Sequence, residues 1–328
     1  MKKIEKVAIV GMGALGLLFG NRIQESLGDN LYFLMDEDRA ERHKKDIYRI
    51  NGEEKTFQIR SLKELEETPD LIIVATKFKD LKSAAELAEK ASGPDTIIIA
   101  LLNGIISEEI LAERIPRERI LDCVAIGMDA MRDGTSLEYK AMGRLQIGAA
   151  DWSAELKIAT GLGDEMAEGE EEFNRVQAEN LKRLAGFFKE TQVPYEAPEN
   201  IRRSMWKKFM MNVGINQACM VYECTYKDAL SPGPIYDDLN ASMHEVMEIA
   251  KAEGIDLTEE DYENGIEIFH TLYPEGYPSM RQDALAGRKS EVDLFAGTVI
   301  KIAEKHGIDV PVNRKFYEMV QKMEERLN

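Results

Sequence analysis

Residues 6–16 read Lys6-Val7-Ala8-Ile9-Val10-Gly11-Met12-Gly13-Ala14-Leu15-Gly16. An apolar run of strand length enters three glycines at G-x-G-x-x-G spacing, and a helical pattern follows to about Ser26. In such a unit the first glycine permits a tight turn, the second lets the backbone approach a pyrophosphate, and the third lets the helix pack on the strand. The stretch therefore predicts a dinucleotide-binding loop. Its residues are Gly11, Met12, Gly13, Ala14, Leu15 and Gly16.

Composition and charge narrow the class of protein. The chain has 328 residues, 44% of them hydrophobic and 31% charged, which is enough for two globular domains with separate cores. A net charge of −18 argues against nucleic acid or an anionic membrane as a partner. The same charge requires that an anionic substrate be met by a local cluster of cations. We therefore expect a small-molecule substrate, and no apolar run reaches the length of a membrane span.

Cysteine and histidine usage indicates neither a disulfide framework nor a metal site. The cysteines are Cys123, Cys219 and Cys224, an odd number without C-x-x-C spacing, and the four histidines are scattered. Reduced thiols in the cytoplasm are the simplest interpretation. The Met-Lys-Lys start leads into a core strand and not into a signal sequence, so we expect a cytoplasmic protein that holds no metal.

Strand and helix patterns alternate through the first half of the chain, which predicts a doubly wound parallel sheet. A further extended stretch, Leu137–Gly148, predicts antiparallel strands at the edge of that sheet. The predicted strands after the first are Leu31–Met35, Leu71–Thr76, Thr96–Leu101 and Ile120–Ile126, and the predicted helices between them are Leu81–Ala91 and Ser107–Arg114.

The second half of the chain is predicted to be helical. An acidic insertion at about 151–172 comes first and is interpreted as a solvated excursion with some helix. Helix Asn174–Glu190 and strand Val193–Ala197 follow, which places the domain boundary between residues 198 and 199. The fold class is thus α/β, with a Rossmann-type domain at 1–198 and an all-helical domain at 199–328. The predicted helices of the second domain are Ile201–Tyr222, Ile235–Glu253, Thr258–Leu272, Ser279–Ala286, Glu291–His306 and Pro311–Arg326.

Asp36 occupies the position at which Rossmann units hold the adenosine ribose. It follows the second strand, 36 − 16 = 20 positions after the last glycine of the loop. A carboxylate there favours NADH, because it repels the 2′-phosphate of NADPH. Arg39, Arg42 and Lys44 follow closely and could offset that repulsion. The alternative is that Asp36 only caps the helix beginning near Glu37.

A polar stripe marks the first helix of the second domain. Lys208, Asn212 and Asn216 are spaced by four residues, so they lie along one helical face within about 80°. Lys207 has Met211 and Ile215 at the corresponding positions, which selects Lys208 as the functional lysine. The stripe is either a satisfied hydrogen-bond network between helices or a substrate site. Beside a dinucleotide loop, the interpretation is a lysine that protonates a carbonyl oxygen as hydride arrives.

With these motifs the chain resembles the ketopantoate reductase (2-dehydropantoate 2-reductase) family over nearly its whole length. The family opens with G-x-G-A-x-G, carries a lysine after the third buried strand and an Asn-Gly after the next, and has a Trp-x-Lys catalytic helix with two asparagines. Two further signatures lie near its C-terminus. The matching segments are Gly11–Gly16, Val74–Lys77, Asn103-Gly104, Trp206–Asn216, Pro278–Asp283 and Arg288–Asp293.

The resemblance implies NADPH-dependent reduction of ketopantoate to pantoate, for coenzyme A synthesis, by a monomer or homodimer. It implies a helical domain like the C-terminal domain of 6-phosphogluconate dehydrogenase. It also implies residue roles. Lys208 is the general acid, Glu291 tunes it near the nicotinamide ribose, Ser279 binds the substrate carboxylate, Asn212 and Asn216 hold substrate oxygens, and Asn103 and Lys77 lie where cofactor meets substrate.

The chain departs from the family pattern at two positions that bear on specificity. Many members have arginine where this chain has Asp36, so NADH is an alternative cofactor. Some members have a substrate-contacting asparagine where this chain has Tyr226, so another 2-keto acid is an alternative substrate. A dinucleotide sensor without turnover is a third interpretation. It predicts a broken catalytic set, whereas the set here is complete.

Two serine-led segments have capping-box spacing. Ser279 precedes Gln282 by three residues, and Ser290 precedes Asp293 by three, so both serines are predicted to cap a helix N-terminus. A helix N-terminus also binds carboxylates, which makes a cap at Ser279 compatible with a substrate role. Glu291, in a first turn, has helix-dipole complementation as its alternative role.

Overall fold

The computed structural model describes residues 2–150 and 166–325, with the side chains of its long helix described from Glu170 onward. The chain forms two units. The first comprises Met1–Leu102 and Ile106–Ile201, and the second comprises Asn103–Ile105 and Arg202–Asn328. The tripeptide Asn103–Ile105 thus groups with the helical half of the chain.

The first unit alternates strands with helices. Its strands are β1 (Val7–Val10), β2 (Leu31–Leu34), β3 (Tyr48–Ile50), β4 (Glu53–Lys55), β5 (Gln58–Arg60), β6 (Leu71–Val74), β7 (Ile97–Ala100), β8 (Asp122–Ile126), β9 (Met131–Asp133), β10 (Ser136–Glu138), β11 (Arg144–Gly148) and β12 (Tyr195–Glu196). Its helices are α1 (Ala14–Leu27), α2 (Glu37–His43), α3 (Leu81–Ala91), α4 (Ser107–Ala112) and α5 (Met166–Glu190).

A parallel five-stranded sheet forms the centre of this unit, in the order β5-β2-β1-β6-β7. Strands β1, β2, β6 and β7 are buried at every residue, because both faces of the sheet are covered. Val7 and Ile9 pack in one core and Ala8 and Val10 in the other, as the two-residue period of a strand requires. The predicted doubly wound parallel sheet is confirmed. The strand order reverses at β1, so the loop after β1 lies where ligands bind such sheets.

The extended stretch at 137–148 does not extend that sheet as predicted. It divides into β10, which belongs to a small sheet of order β4-β3-β10-β9, and β11, which lies between β8 and β12. The predicted strand Ile120–Ile126 is present as β8, but β8 pairs antiparallel with β11. A single bridge between Ile98 and Ile120 joins it to β7. β8 and β11 pair antiparallel because the chain turns back between them, where Gly127 and Gly143 both adopt positive φ.

The acidic insertion is described in part. Helix α5 begins at Met166, earlier than predicted, and so includes the acidic run that ends at Glu172. The rest of the predicted excursion, residues 151–165, lies outside the described residues.

The second unit is helical, as predicted. Its core joins Phe209 and Val213 of the first helix to Phe295 and Phe316 of later ones. The helices are α6 (Ile201–Val221), α7 (Tyr226–Ala229), α8 (Pro234–Ala252), α9 (Glu259–Thr271), α10 (Ser279–Leu285), α11 (Thr298–His306) and α12 (Pro311–Glu324).

A buried amide network sets the rotation of α6. Gln217 Nε2 donates to Asn313 Oδ1 at 3.0 Å, and Asn313 Nδ2 donates to Glu245 Oε2 at 2.7 Å. Gln217 and Asn313 are fully buried, so these bonds are costly to break. The network directs Gln217 inward and thereby orients the polar stripe that precedes it on α6.

The predicted helix Glu291–His306 begins instead as a π-helical turn, Asp293–Gly297, before α11. The backbone N–H of Ala296 donates to Gln217 Oε1 at 3.0 Å, while the N–H of Gly297 reaches back to the carbonyl of Val292 at 3.0 Å. A side chain from α6 therefore takes the donor that a regular α-helix would use internally.

Candidate functional site

The glycine loop has the geometry that its spacing predicts. Gly11 has φ +110°, and a Cβ there would lie 2.5 Å from the carbonyl oxygen of Ala75. A Cβ on Gly16 would lie 2.1 Å from the carbonyl oxygen of Gly11. Gly13 differs, because the nearest atom to its Cβ position is 3.6 Å away. Gly11 and Gly16 are thus required by the fold, whereas a Cβ on Gly13 would make only an ordinary van der Waals contact with the protein.

The start of α1 is suited to an anion. Gly13 is the residue before the helix, no side chain caps it, and no acidic residue lies in the first turn. The first backbone N–H groups and the positive end of the helix dipole are therefore available to a phosphate. Met12, Ala14 and Leu15 are half-buried along this loop.

Asp36 lies directly after β2 and is exposed. Its Oδ1 accepts a hydrogen bond from the N–H of Arg39 at 2.9 Å, so Asp36 caps the N-terminus of α2. Its Oδ2 lies 3.9 Å from Arg39 Nε, an exposed pair. Lys44 is instead paired with Glu64 at 2.8 Å, and Arg42 bonds a carbonyl of its own helix. Arg39 is thus the cation adjacent to Asp36.

Lys77 is exposed and begins a 3₁₀ turn, three residues after the end of β6. Because β1, β2 and β6 run parallel, the glycine loop, Asp36 and Lys77 all follow strands at the same edge of the sheet. The structure therefore brings these three predicted features to one edge of the first unit.

The polar stripe of α6 takes part in two sets of hydrogen bonds within the second unit. Lys208 Nζ donates to Asn103 Oδ1 at 2.8 Å. Asn216 Nδ2 donates to Asn212 Oδ1 at 3.1 Å, and Ser279 Oγ donates to Asn216 Oδ1 at 3.2 Å. The structure thus brings together the predicted lysine, three asparagines and a serine from three separate segments.

The neighbouring lysine has a different environment. Lys207 Nζ lies 3.3 Å from Asp261 Oδ1, a buried carboxylate at the start of α9. Lys207 therefore serves an ion pair between helices, and Lys208 is the lysine that belongs to the stripe.

Asn103 is followed by a glycine that the packing requires. Gly104 has φ +93°, and a Cβ there would lie 2.6 Å from Leu294 Cδ1. Leu294 belongs to the π-helical turn, three residues after Glu291. The Asn-Gly pair therefore packs on the segment that carries Glu291. Glu291 is half-buried, and its carbonyl accepts from the N–H of Leu294 at 2.9 Å.

A helix begins at Ser279, as predicted, but neither Ser279 nor Ser290 makes the capping bond that its spacing predicts. Pro278 is the residue before α10, and the Ser279 hydroxyl is directed to Asn216 instead of the helix N–H groups. Ser290 Oγ donates to Glu324 Oε1 at 2.7 Å, and Asp293 accepts from the Tyr317 hydroxyl at 2.8 Å. In each case a partner distant in sequence replaces the local bond.

Two further features of this region concern the pair Glu223 and Arg281, which the sequence does not mark, and Tyr226, which departs from the family pattern. Glu223 adopts φ +51° just after α6, where glycine is usual, and its carboxylate pairs with Arg281 at 3.0 Å. This pair joins the end of α6 to α10, which begins at Ser279. Tyr226 packs its ring against Gly276, and burial raises the pKa of its phenol.

Within the described ranges, no helix combines the length and apolar character that a membrane crossing needs. The same ranges hold no group of three or more His, Cys, Asp and Glu side chains placed to bind a metal ion.

Two family models match the chain. One, described as "Ketopantoate reductase PanE/ApbA", matches residues 7–152, and the other, described as "Ketopantoate reductase PanE/ApbA C terminal", matches residues 200–324. A 2-dehydropantoate 2-reductase of Streptococcus pyogenes serotype M3 is 26% identical over 326 residues, which is 98% of this chain and 99% of that protein.

Solved structures share the fold. D-mandelate dehydrogenase with NADH and anilino(oxo)acetate matches with a TM-score of 0.80 at 24% identity, over 98% of this chain and 99% of that one. A dimeric ketopantoate reductase from Staphylococcus aureus matches with a TM-score of 0.76 at 18% identity, over 98% of this chain and 100% of that one.

Proposed function

The chain belongs to the ketopantoate reductase family, and from this premise we propose that it reduces 2-dehydropantoate (ketopantoate) to pantoate with NAD(P)H, a step of coenzyme A synthesis. The observation that supports this most directly is the bond from Lys208 Nζ to Asn103 Oδ1 at 2.8 Å, at one end of a stripe of hydrogen-bonded amides. The bond fixes the position of the Lys208 ammonium, which is the proton donor of this proposal.

The residues of the first unit fit a nicotinamide dinucleotide. The uncapped start of α1 suits the diphosphate, and Gly13 puts no side chain in front of it, so the loop Gly11–Gly16 holds the diphosphate. Asp36 holds the adenosine ribose, because its Oδ2 accepts no backbone bond at the helix cap. The family pattern gives Lys77 of this unit a role at the nicotinamide end, and it gives Asn103 and Glu291 of the second unit the same role. The bound cofactor supplies a hydride to the ketone carbon.

Asp36 shifts the cofactor preference toward NADH. NADPH is the family expectation, but an exposed carboxylate at this position repels a 2′-phosphate. Arg39 opposes that repulsion, since it lies 3.9 Å from Asp36 and is the adjacent cation. The chain therefore uses both cofactors, and it favours NADH more than the family pattern implies.

Lys208 is the general acid. As the ketone carbon gains a hydride, the carbonyl oxygen develops negative charge and takes a proton from Lys208 Nζ, which yields the secondary alcohol. Asn103 orients the ammonium for that transfer. Glu291 tunes the lysine. The packing of Leu294 on Gly104 supports this role, because it joins the segment of Glu291 to Asn103, which accepts from Lys208.

Asn212, Asn216 and Ser279 hold the substrate. Asn216 is both donor and acceptor in the stripe, so its orientation is determined on both sides. Ser279, at the start of α10, binds the substrate carboxylate, where the helix dipole also favours an anion.

Another 2-keto acid is the second candidate substrate. Tyr226, a bulky and largely apolar residue, replaces an asparagine of some members, and a structural neighbour acts on mandelate. A cofactor sensor without turnover is the candidate of another class. The assembly is a monomer or a homodimer, and the S. aureus neighbour is dimeric.

The test is a turnover panel followed by the absorbance of the reduced nicotinamide. Ketopantoate, the keto acid corresponding to mandelate and several aliphatic 2-keto acids are each tested with NADH and with NADPH. We expect the highest kcat/KM with ketopantoate. A higher value with another keto acid would reassign the substrate, and tight cofactor binding without any turnover would leave the sensor.

A further inference from the structure

The hairpin of β9 and β10 brings an arginine to the glycine loop. Arg132 lies on β9, and one of its Nη1 hydrogens bonds the carbonyl oxygen of Met12, between the first two glycines. Its Nε donates to the carbonyl oxygen of Gly134 at 2.8 Å. Two backbone carbonyls thus fix the plane of the guanidinium next to the loop.

Most of the donors of Arg132 are unused. A guanidinium carries five N–H groups, and the two bonds above use two of them. Among the residues that the structure describes, Nη2 of Arg132 has no hydrogen-bond partner, and no carboxylate lies within ion-pair distance. The side chain is exposed. In a chain of net charge −18, an oriented arginine without a counter-ion indicates that a ligand supplies the anion.

The other side chain on Met12 brings no charge. The Tyr48 hydroxyl donates to Met12 Sδ at 3.3 Å. Burial raises the pKa of Tyr48 to about 12, so the phenol stays neutral at physiological pH. Arg132 is therefore the charged side chain that contacts this part of the loop.

We propose that Arg132 binds phosphoryl oxygens of the cofactor diphosphate through its remaining N–H groups, those of Nη2 above all, while the carbonyls of Met12 and Gly134 hold Nη1 and Nε. This rests on the proposed dinucleotide site. It adds a phosphate-binding side chain from a hairpin outside the strand–loop–helix unit. A guanidinium can donate to two phosphoryl oxygens at once, and the two carbonyl bonds fix its orientation before a ligand binds.

The test compares cofactor affinity and its salt dependence in four variants. Dissociation constants for NADH, NADPH and ADP-ribose are measured at several salt concentrations with wild type, R132Q, R132K, R49Q and Y48F. Arg49 is the matched control, because it lies on β3 of the same small sheet and pairs with Glu54 at 3.1 Å. Y48F removes the other contact on Met12 without changing charge.

We expect R132Q to weaken all three ligands by about 10- to 100-fold and to flatten their salt dependence, because a charged contact is lost. R132K should fall between R132Q and wild type, since it keeps the charge and loses the fork. R49Q and Y48F should bind within about threefold of wild type and keep its salt dependence.

Unchanged affinity in R132Q would overturn the proposal. So would a loss that keeps the wild-type salt dependence, or an equal loss in Y48F, because either result would assign the effect to the shape of the loop. A wild-type protein that binds none of the three ligands would instead overturn the proposed function itself.

Discussion

The glycine loop of the first unit and the polar stripe of the second are built by different means. The loop depends on backbone, since Gly11 and Gly16 have no room for a side chain, while the fold would accept a Cβ at Gly13. The stripe depends on side chains, which bond one another across three segments. Backbone sites are specified by short-range spacing, whereas side-chain sites depend on how distant segments pack.

Lys208→Ala should give the largest effect, and it tests whether the polar stripe carries the catalytic step. We expect kcat to fall by roughly two to four orders of magnitude, because the general acid is lost. Cofactor affinity should stay near wild type. Steady-state kinetics give kcat, and equilibrium binding gives the cofactor affinity. Lys207→Ala is the matched control, because Lys207 pairs with Asp261 instead of the stripe. Near-normal turnover in folded Lys208→Ala would remove the assigned role.

Gly16→Ala and Gly13→Ala should separate the effect of the glycine loop on stability from its effect on cofactor affinity. Gly16→Ala places a Cβ 2.1 Å from a carbonyl oxygen, so we expect the free energy of unfolding to fall by about 1–3 kcal/mol. Gly13→Ala meets nothing closer than 3.6 Å, so stability should change by less than about 1 kcal/mol while cofactor affinity drops. Chemical denaturation and cofactor titration measure the two effects. Equal destabilisation by both substitutions would contradict the distinction.

Asp36→Asn tests whether a side chain selects the cofactor beside the glycine loop, a site otherwise built from backbone. Asparagine keeps the cap to the Arg39 N–H and removes the charge. We expect the ratio of kcat/KM for NADPH to that for NADH to rise about tenfold, because repulsion of the 2′-phosphate is relieved. Asp38→Asn, in the first turn of the same helix, is the control. An unchanged ratio would leave Asp36 with the cap alone.

Ser279→Ala should give the smallest effect and tests one link of the stripe. It removes the hydroxyl that donates to Asn216, so we expect KM for the keto acid to rise about 3- to 10-fold with a smaller change in kcat. Ser290→Ala is the control, since that hydroxyl bonds Glu324. If both variants behave alike, Ser279 has no special part in substrate binding.

Around the site, the local patterns mislead where a residue meets a partner distant in the chain. Ser279 has capping spacing, yet its hydroxyl bonds Asn216, 63 positions away in the chain. The helix predicted from Glu291 opens with a π-helical turn, because Gln217 takes the N–H of Ala296. Arg132 lies in a turn that the sequence marks, but nothing local shows that it reaches Met12.

The sequence by itself determined the parallel sheet, the glycine loop, the helical second half and the alignment of Lys208, not Lys207, with Asn212 and Asn216. These follow from periodicity and from sterics within a few residues. Only the tertiary structure decided that Asn103 groups with the helical unit and accepts from Lys208, and that Arg132 contacts the loop. The reason is that such contacts join residues more than a hundred positions apart, and their geometry comes from packing, which no local pattern contains.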